Sequence, residues 1–179
     1  MSNNIEYIDV VDDNNQIITQ APKDAVHNQN LLHRSSHILI SYKNTIFLQL
    51  RSKLKQQFPN KWDTSVAGHL IAGEDYYQCA VRETQEELGF TVSKLQEIAD
   101  IPASEHTGFE FIKLYLVDCS SSPTLPKFIL EPSEITTGGW FAINDVDQWV
   151  KTDPNDFAGC FDLIWASFQS YFSAHKIAF

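Results

Sequence analysis

Residues 68–90 read GHLIAGEDYYQCAVRETQEELGF. From Asp75 to Leu88 the stretch contains no Gly or Pro and is rich in Ala, Gln, Glu, Arg and Leu, residues that lose little on entering a helix. Gly89 follows at once, and glycine most readily takes the left-handed conformation that ends a helix. The pattern predicts a helix over 75–88 with a glycine stop. Ala80, Thr84 and Leu88 recur at every fourth position on one side, with Tyr77 and Val81 beside them, while Glu83, Glu86 and Glu87 cluster on another face.

Three carboxylates gathered near the negative, C-terminal end of a helix repel one another and gain nothing from the helix dipole. A hard divalent cation accounts for the arrangement, because Mg²⁺ takes oxygen ligands and borrows the rest of its shell from water and phosphates. A solvated acidic face is the other reading, and the positions around the glutamates decide between the two.

Those positions match the Nudix box, G-x5-E-x7-R-E-U-x-E-E-x-G-U, where U is usually apolar. Gly68, Glu74, Arg82, Glu83, Glu86, Glu87, Gly89 and Phe90 all fit, and Thr84 stands at one U position. Seven fixed identities at roughly 7% each make a chance match on the order of 10⁻⁸ per starting point. The chain therefore resembles the Nudix hydrolases, and the resemblance implies a set of roles. Glu83 and Glu87 are expected as metal ligands, Glu86 as a further ligand directly or through water, and the Ala67 carbonyl as a backbone ligand. Arg82 is expected to orient the glutamates by an ion pair, Glu74 to serve as a structural or accessory acid, and Gly89 to end the helix. The implied fold is α/β (α+β): an α/β/α sandwich with a mixed sheet, carrying the box of residues 68–90 as loop–helix–loop. The implied chemistry is cleavage of a diphosphate linked to another moiety, with Mg²⁺ as cofactor and Mn²⁺ as its substitute.

Composition agrees. A chain of 179 residues, 43% hydrophobic and 20% charged, suits one well-buried domain spanning 1–179. The formal net charge of −10 argues against nucleic acid and anionic membranes, which both need a basic surface. An acidic protein that handles phosphates needs a metal as intermediary. The opening MSNNIEYIDVVDDNN lacks the positive start and apolar core of a secretory signal, and no apolar run approaches membrane-spanning length. Three scattered cysteines, Cys79, Cys119 and Cys160, suit a reducing cytoplasm better than a disulfide framework. A homodimer is compatible with these features.

Taken in order, Glu6 to Val11 reads as a strand, followed by an Asp-Asn turn and Ile17-Ile18, with Ala21 to Asn30 a polar connector. His37 to Ser41 and Thr45 to Leu50 read as a hairpin around Lys43-Asn44, one face of its second strand apolar. Phe58 to Trp62 is a loop with aromatic anchors, and Val66 to Leu70 a short strand feeding the box. Leu95 to Ala99, Phe109 to Asp118 and Thr137 to Phe141 read as strands. Asn144 is placed to cap a helix through Val150, and Asp156 a last helix with the apolar stripe Phe157, Phe161, Ile164, Phe168 and Phe172.

A narrower resemblance covers roughly His33 to Phe172. LLHRSSHILI, then FLQLRSKLKQQFPNKWDTSVAGHL, is similar to Nudix proteins related to type 1 isopentenyl-diphosphate isomerase. There, histidines and glutamates hold a metal, and a cysteine and a glutamate move protons on the isoprenoid. The resemblance places His69, His33 and Glu110 on such positions, with His27 as a less anchored counterpart. Three neutral imidazoles and a carboxylate suit Zn²⁺ or a transition metal. Ala67 stands where the isomerases carry their cysteine, and a methyl group neither gives nor takes a proton.

The expected reaction is hydrolysis of a phosphoanhydride in a small X-linked diphosphate, with Glu83 or Glu86 as general base and Glu110 or Glu134 in reserve. Arg51, Lys53 and Lys55 are candidates for phosphate contact, and His69, Glu110, Trp62 and Phe58 for lining the cleft. The rival readings are an isomerase-like enzyme and a non-catalytic diphosphate-binding domain.

Overall fold

The computed structural model describes residues 5–175; residues 1–4 and 176–179, the ends of the span expected from sequence, lie outside the described residues. An antiparallel hairpin comes first, β1 (Tyr7–Val11) and β2 (Ile17–Pro22). Helix α1 (Lys23–Asn28) follows, where the sequence pattern read only a polar connector. One residue decides this difference: Val26 is fully buried with Ile8 and Val10 in a small core of its own.

The main sheet begins with β3 (His33–Tyr42) and β4 (Thr45–Arg51). The strand expected from His37 thus starts four residues earlier. Its first half is polar, and its pairing with a distant segment rather than an apolar pattern makes it a strand. β3 pairs through its C-terminal end with β4 and through Ser35–Ile38 with β6 (Val66–His69), after β5 (Trp62–Asp63) has paired with the far end of β4. Residues 62–69 thus fill the fork where β3 and β4 part. Helix α2 (Tyr76–Leu88), strands β7 (Gln96–Ile101), β8 (Glu110–Asp118) and β9 (Ile135–Ala142), and helices α3 (Ile143–Thr152) and α4 (Phe161–His175) complete the order. β8 runs parallel to β3 over nine registered pairs from His33↔Glu110 to Ser41↔Asp118, and the other pairings are antiparallel, so the sheet is mixed.

The sheet is covered on both faces. Leu39, Ile46, Leu48, Ile112 and Leu114 pack against Val146 of α3 and Phe161, Ile164, Trp165 and Phe168 of α4. Ile38, Ile40, Phe47, Val66 and Tyr115 pack against Ala80 and Leu88 of α2. This is the expected α/β/α sandwich. Strand β4 is apolar toward both layers, with Ile46 and Leu48 on one side and Phe47 on the other, so single-face alternation understates its burial.

Both proposed late caps are corrected. α3 begins at Ile143 with Ala142 at the cap position, because β9 runs straight into it and the Ile143 N–H donates to the Asn44 carbonyl at 3.2 Å. Asp156 lies in a short 3₁₀ turn, Pro154–Asp156, where its carboxylate accepts the Trp149 indole N–H at 2.8 Å; α4 starts five residues later. Phe157 is buried but precedes the helix. Tyr77, expected beside the packed face of α2, is 49% exposed.

Candidate active site

The start of α2 is fixed by a capping box: Asp75 accepts the Gln78 N–H at 2.8 Å, and the Gln78 side chain accepts the Asp75 N–H at 3.0 Å. Its end is fixed by Gly89 at φ 58°, the left-handed stop that the sequence called for. Between these points the helix aims its polar face back at the loop entering it.

Arg82 organises that face. Its Nε donates to Glu74 Oε1 at 2.9 Å and its Nη2 to Glu74 Oε2 at 2.9 Å, a two-point pairing. Nη1 donates to Glu83 Oε1 at 2.7 Å and Glu86 Oε2 at 3.0 Å, and Nη2 also reaches the His69 carbonyl at 3.0 Å. Burial opposes the guanidinium charge, but the Glu74 hydrogen bonds and the adjoining Glu83 outweigh it and hold the proton more firmly than usual. Burial raises the Glu83 carboxyl, with Arg82 pulling against it.

Glu87 is 4% exposed and accepts a hydrogen bond from Gln49 Nε2 at 3.1 Å. Burial pushes its carboxyl well above the usual range, and the charges of Glu83 and Glu134 push it further. Glu134 comes from the approach to β9, its carbonyl accepting the Ser52 N–H at 2.8 Å and its carboxylate paired with Lys55. Glu83, Glu87 and Glu134 are thus close enough to repel. Ala67 lies in β6 opposite His37; beyond it, the Gly68 carbonyl accepts from Cys79 Sγ and the His69 carbonyl from Arg82. Cys79 is buried, and burial drives its thiol far above the range in which it reacts.

A second cluster occupies the other face of β6. Side chains alternate along a strand, so Gly68 meets α2 while His69 points away from it. His69 Nε2 lies 3.2 Å from Glu110 Oε1, and His33 Nε2 lies 3.7 Å from the same oxygen. His27, from α1, joins them, and the three imidazoles place ligand atoms within 4.8 Å of one another. His33 Nδ1 lies 2.8 Å from the Leu31 carbonyl and donates its N–H there. The His33 Nε2 is buried without a hydrogen-bond partner and stands 3.7 Å from a carboxylate oxygen of Glu110. Burial drives His69 down to about 4, so it is neutral at pH 7. Burial also lowers His27, with His33 contributing. Glu110 stays ionised: burial raises its carboxyl, but the imidazoles beside it outweigh burial and hold it well below the usual range.

The remaining expected residues fall elsewhere. The Arg51 guanidinium is engaged by the protein, with Nη1 on Asp63 at 2.9 Å and Nε and Nη2 on the Gln57 carbonyl at 3.3 and 3.1 Å. Trp62 packs edge-on to Phe141 and Trp149, and Phe58 lies over Gly159. A cavity of about 600 Å³ opens beside Phe90, Lys94, Cys119 and Leu125 and contains none of these carboxylates or histidines. Two contributors carry no readable signal. Lys23, paired with Glu6 at 2.9 Å, acts through its charge on His27, His69 and Glu83, yet it sits in a stretch read as connector. Gln49 is a polar residue between Leu48 and Leu50 in a largely apolar strand.

Comparison with known proteins places the chain in a family. Residues 31–159 match the NUDIX domain family. The chain is 32% identical over 149 residues to a Nudix hydrolase of Yersinia pestis, covering 79% of this chain and 76% of that protein. It is 30% identical over 152 residues to a prenyl-diphosphate phosphatase of Methanosarcina mazei, covering 84% and 87%. It spans 55% of the length of other curated relatives, in Shigella flexneri and Escherichia coli. Among solved structures, DR0079 from Deinococcus radiodurans superposes with a TM-score of 0.76 at 22% identity, over 93% of this chain and 99% of that one.

Proposed function

We propose, for a chain that belongs to the NUDIX family of pyrophosphohydrolases, that it hydrolyses the phosphoanhydride of a small diphosphate with Mg²⁺ or Mn²⁺, and that the group on the diphosphate is a prenyl chain. The observation that carries the reading is Arg82 joining Glu74, Glu83 and Glu86 in one hydrogen-bonded unit beside the buried Glu87. A binding module has no need to hold so many carboxylates together.

Glu83, Glu86 and Glu87 would hold the cation, with the Ala67 carbonyl as a backbone ligand. The donor set fits: all are hard oxygens, and burial with the neighbours Glu83 and Glu134 opposes a charge on Glu87 that a cation there would offset. Bound there, a divalent cation neutralises phosphate charge and lowers the pKa of a nearby water. Arg82 keeps Glu83 and Glu86 aligned. Glu86, with its side chain 58% exposed, is the member of the set open to water, and it is assigned as the base that takes the proton. Glu110 belongs to the histidine cluster on the far face of β6 and is not assigned to this step.

The prenyl assignment is supported by two likenesses, the one to the Methanosarcina mazei prenyl-diphosphate phosphatase and the one to the isomerase-related branch. Hydrolysis asks nothing of the side chain at position 67, whereas allylic isomerisation needs a proton carrier there, and Ala67 is none.

The buried, unpartnered Nε2 of His33 favours a second cation at His27, His33, His69 and Glu110. His33 donates its other N–H to a backbone carbonyl, as metal-ligating histidines do. The donor set suits Zn²⁺ or a transition metal more than Mg²⁺.

The test is a substrate panel: isopentenyl, dimethylallyl and farnesyl diphosphates beside nucleoside di- and triphosphates, dinucleotides and nucleotide sugars, each with Mg²⁺ and Mn²⁺. Metal-dependent phosphate release from prenyl diphosphates is expected. Preference for a nucleotide would overturn the prenyl assignment, and no turnover of any diphosphate would overturn the hydrolase.

A further inference from the structure

The segment that precedes residues 31–159 of the matched family is strapped onto the loop that leads into α2. β1 meets that loop through an antiparallel bridge between Ile8 and Ile71, and the Ala72 N–H donates to the Tyr7 carbonyl at 2.8 Å. Asp9 supplies the third tie: its Oδ2 accepts the Gly73 N–H at 3.1 Å. The same oxygen accepts Arg34 Nη2 at 2.7 Å, and Oδ1 accepts Gln20 Nε2 at 3.0 Å. The carboxylate is 1% exposed and satisfied by three donors from three parts of the chain.

The turn it holds is small and closed on itself. The Glu74 N–H donates to the Ile71 carbonyl at 2.9 Å, and the Ile71 N–H to Glu74 Oε2 at 3.1 Å. Gly73 sits at φ +84°, a conformation L side chains rarely adopt, although nothing lies within 4 Å of where its Cβ would be. The next residue, Glu74, presents both carboxylate oxygens to Arg82, which in turn holds Glu83 and Glu86.

We propose that Asp9 is a positioning residue for the glutamate cluster: it fixes the Gly73–Glu74 turn so that Glu74 meets Arg82 with both oxygens, and thereby sets the cation affinity of Glu83 and Glu86 from outside the matched domain. This rests on the reading that those glutamates hold a divalent cation. Partners behind a ligand typically change affinity by ~10- to 100-fold when removed. Asp9 acts through two residues, so the lower figure applies. Asp9→Asn keeps the shape but removes the charge that faces Arg34, and its N–H₂ group meets a donor in either orientation: Gln20 Nε2 at the Oδ1 place, or Arg34 and the Gly73 N–H at the Oδ2 place.

The experiment is direct Mn²⁺ binding followed by electron paramagnetic resonance, without substrate, on the full chain. The signal of interest is the one that Glu87→Gln removes. Asp9→Asn is expected to weaken that binding about tenfold, and Asp9→Asn/Glu74→Gln to bind no worse than the weaker single variant, because both act through one turn. Gly73→Ala, which has room for its methyl and strains only the backbone of the turn, is expected to weaken it several-fold and guards against misfolding of Asp9→Asn. Wild-type affinity in folded Asp9→Asn and Gly73→Ala, or additive losses in the double variant, overturns the proposal while leaving the cation site standing. No Glu87-dependent Mn²⁺ signal in the wild type overturns the cation site and the proposal with it.

Discussion

Gly68 and Glu83 are in such close approach that a Cβ on residue 68 would stand 2.1 Å from Glu83 Cδ. The strand entering the box and the carboxylate of its helix share a space that only a hydrogen atom leaves open. The glycine that opens the motif is therefore required by contact, with no call on backbone freedom, and Glu83 is placed by it as much as by Arg82.

Gly68→Ala should displace the Glu83 carboxylate, since the clash falls on a movable side chain. A loss of ~10²-fold in kcat is expected, the size of losing a group that acts in the transition state. Circular dichroism should be unchanged. Near-normal turnover would show that Glu83 need not sit against β6.

Glu87→Gln should cost at least ~10²-fold in rate at saturating Mg²⁺ and yet stabilise the metal-free protein. At a pH above the raised value of Glu87 the variant removes a buried, repelled charge, and ~1 kcal/mol of relief raises Tm by about 2–4 °C in a domain of this size. Full activity in this variant would remove Glu87 from the cation site.

The pH dependence follows from the raised carboxyls of Glu83 and Glu87. A group raised on folding contributes stability that is complete below its unfolded value and is lost as pH rises through its folded value. Metal-free Tm should therefore fall, from this source, as pH climbs from the ordinary carboxylate range through the raised value of Glu87, and Glu87→Gln should flatten that slope. Cation binding runs the opposite way, because the carboxylates must ionise to hold it. Activity should weaken at a higher pH on acidification than ordinary carboxylates would give, and excess chelator should abolish it. A rate indifferent to chelator would exclude the mechanism.

Metal content separates the two clusters. Protein loaded with Mn²⁺ or Zn²⁺ and freed of excess should retain one cation that His33→Ala releases and another that Glu87→Gln releases. Elemental analysis showing no loss in His33→Ala would return the histidines to a purely structural role.

With isopentenyl diphosphate, Mg²⁺ and deuterated water, released phosphate without deuterated dimethylallyl diphosphate is expected. General acid–base groups contribute ~10² to 10⁴-fold each, and Ala67 removes one. Deuterium in a dimethylallyl product would overturn the hydrolase reading. Ala67→Cys should leave metal-dependent hydrolysis largely in place.

The amino-acid sequence by itself determined the limits of α2 and its glycine stop, because these rest on spacing within a few turns of one helix, and it gave the sandwich class through the family resemblance that the same residues carry. Gly68, Glu74, Arg82, Glu83, Glu86 and Glu87 were legible for the same reason. Tertiary structure decided what joins them. Glu134 reaches Lys55 across 79 positions, and Glu110 reaches His69 across 41. His27 enters its cluster from a helix that only the burial of Val26 explains. Strand periodicity says that Gly68 and His69 face opposite ways, but not what waits on either side. That depends on β8 lying parallel to β3 and on an N-terminal hairpin docking through one buried carboxylate, Asp9. Such pairings are held by contacts between segments far apart in the chain, and no local pattern encodes which segments will meet.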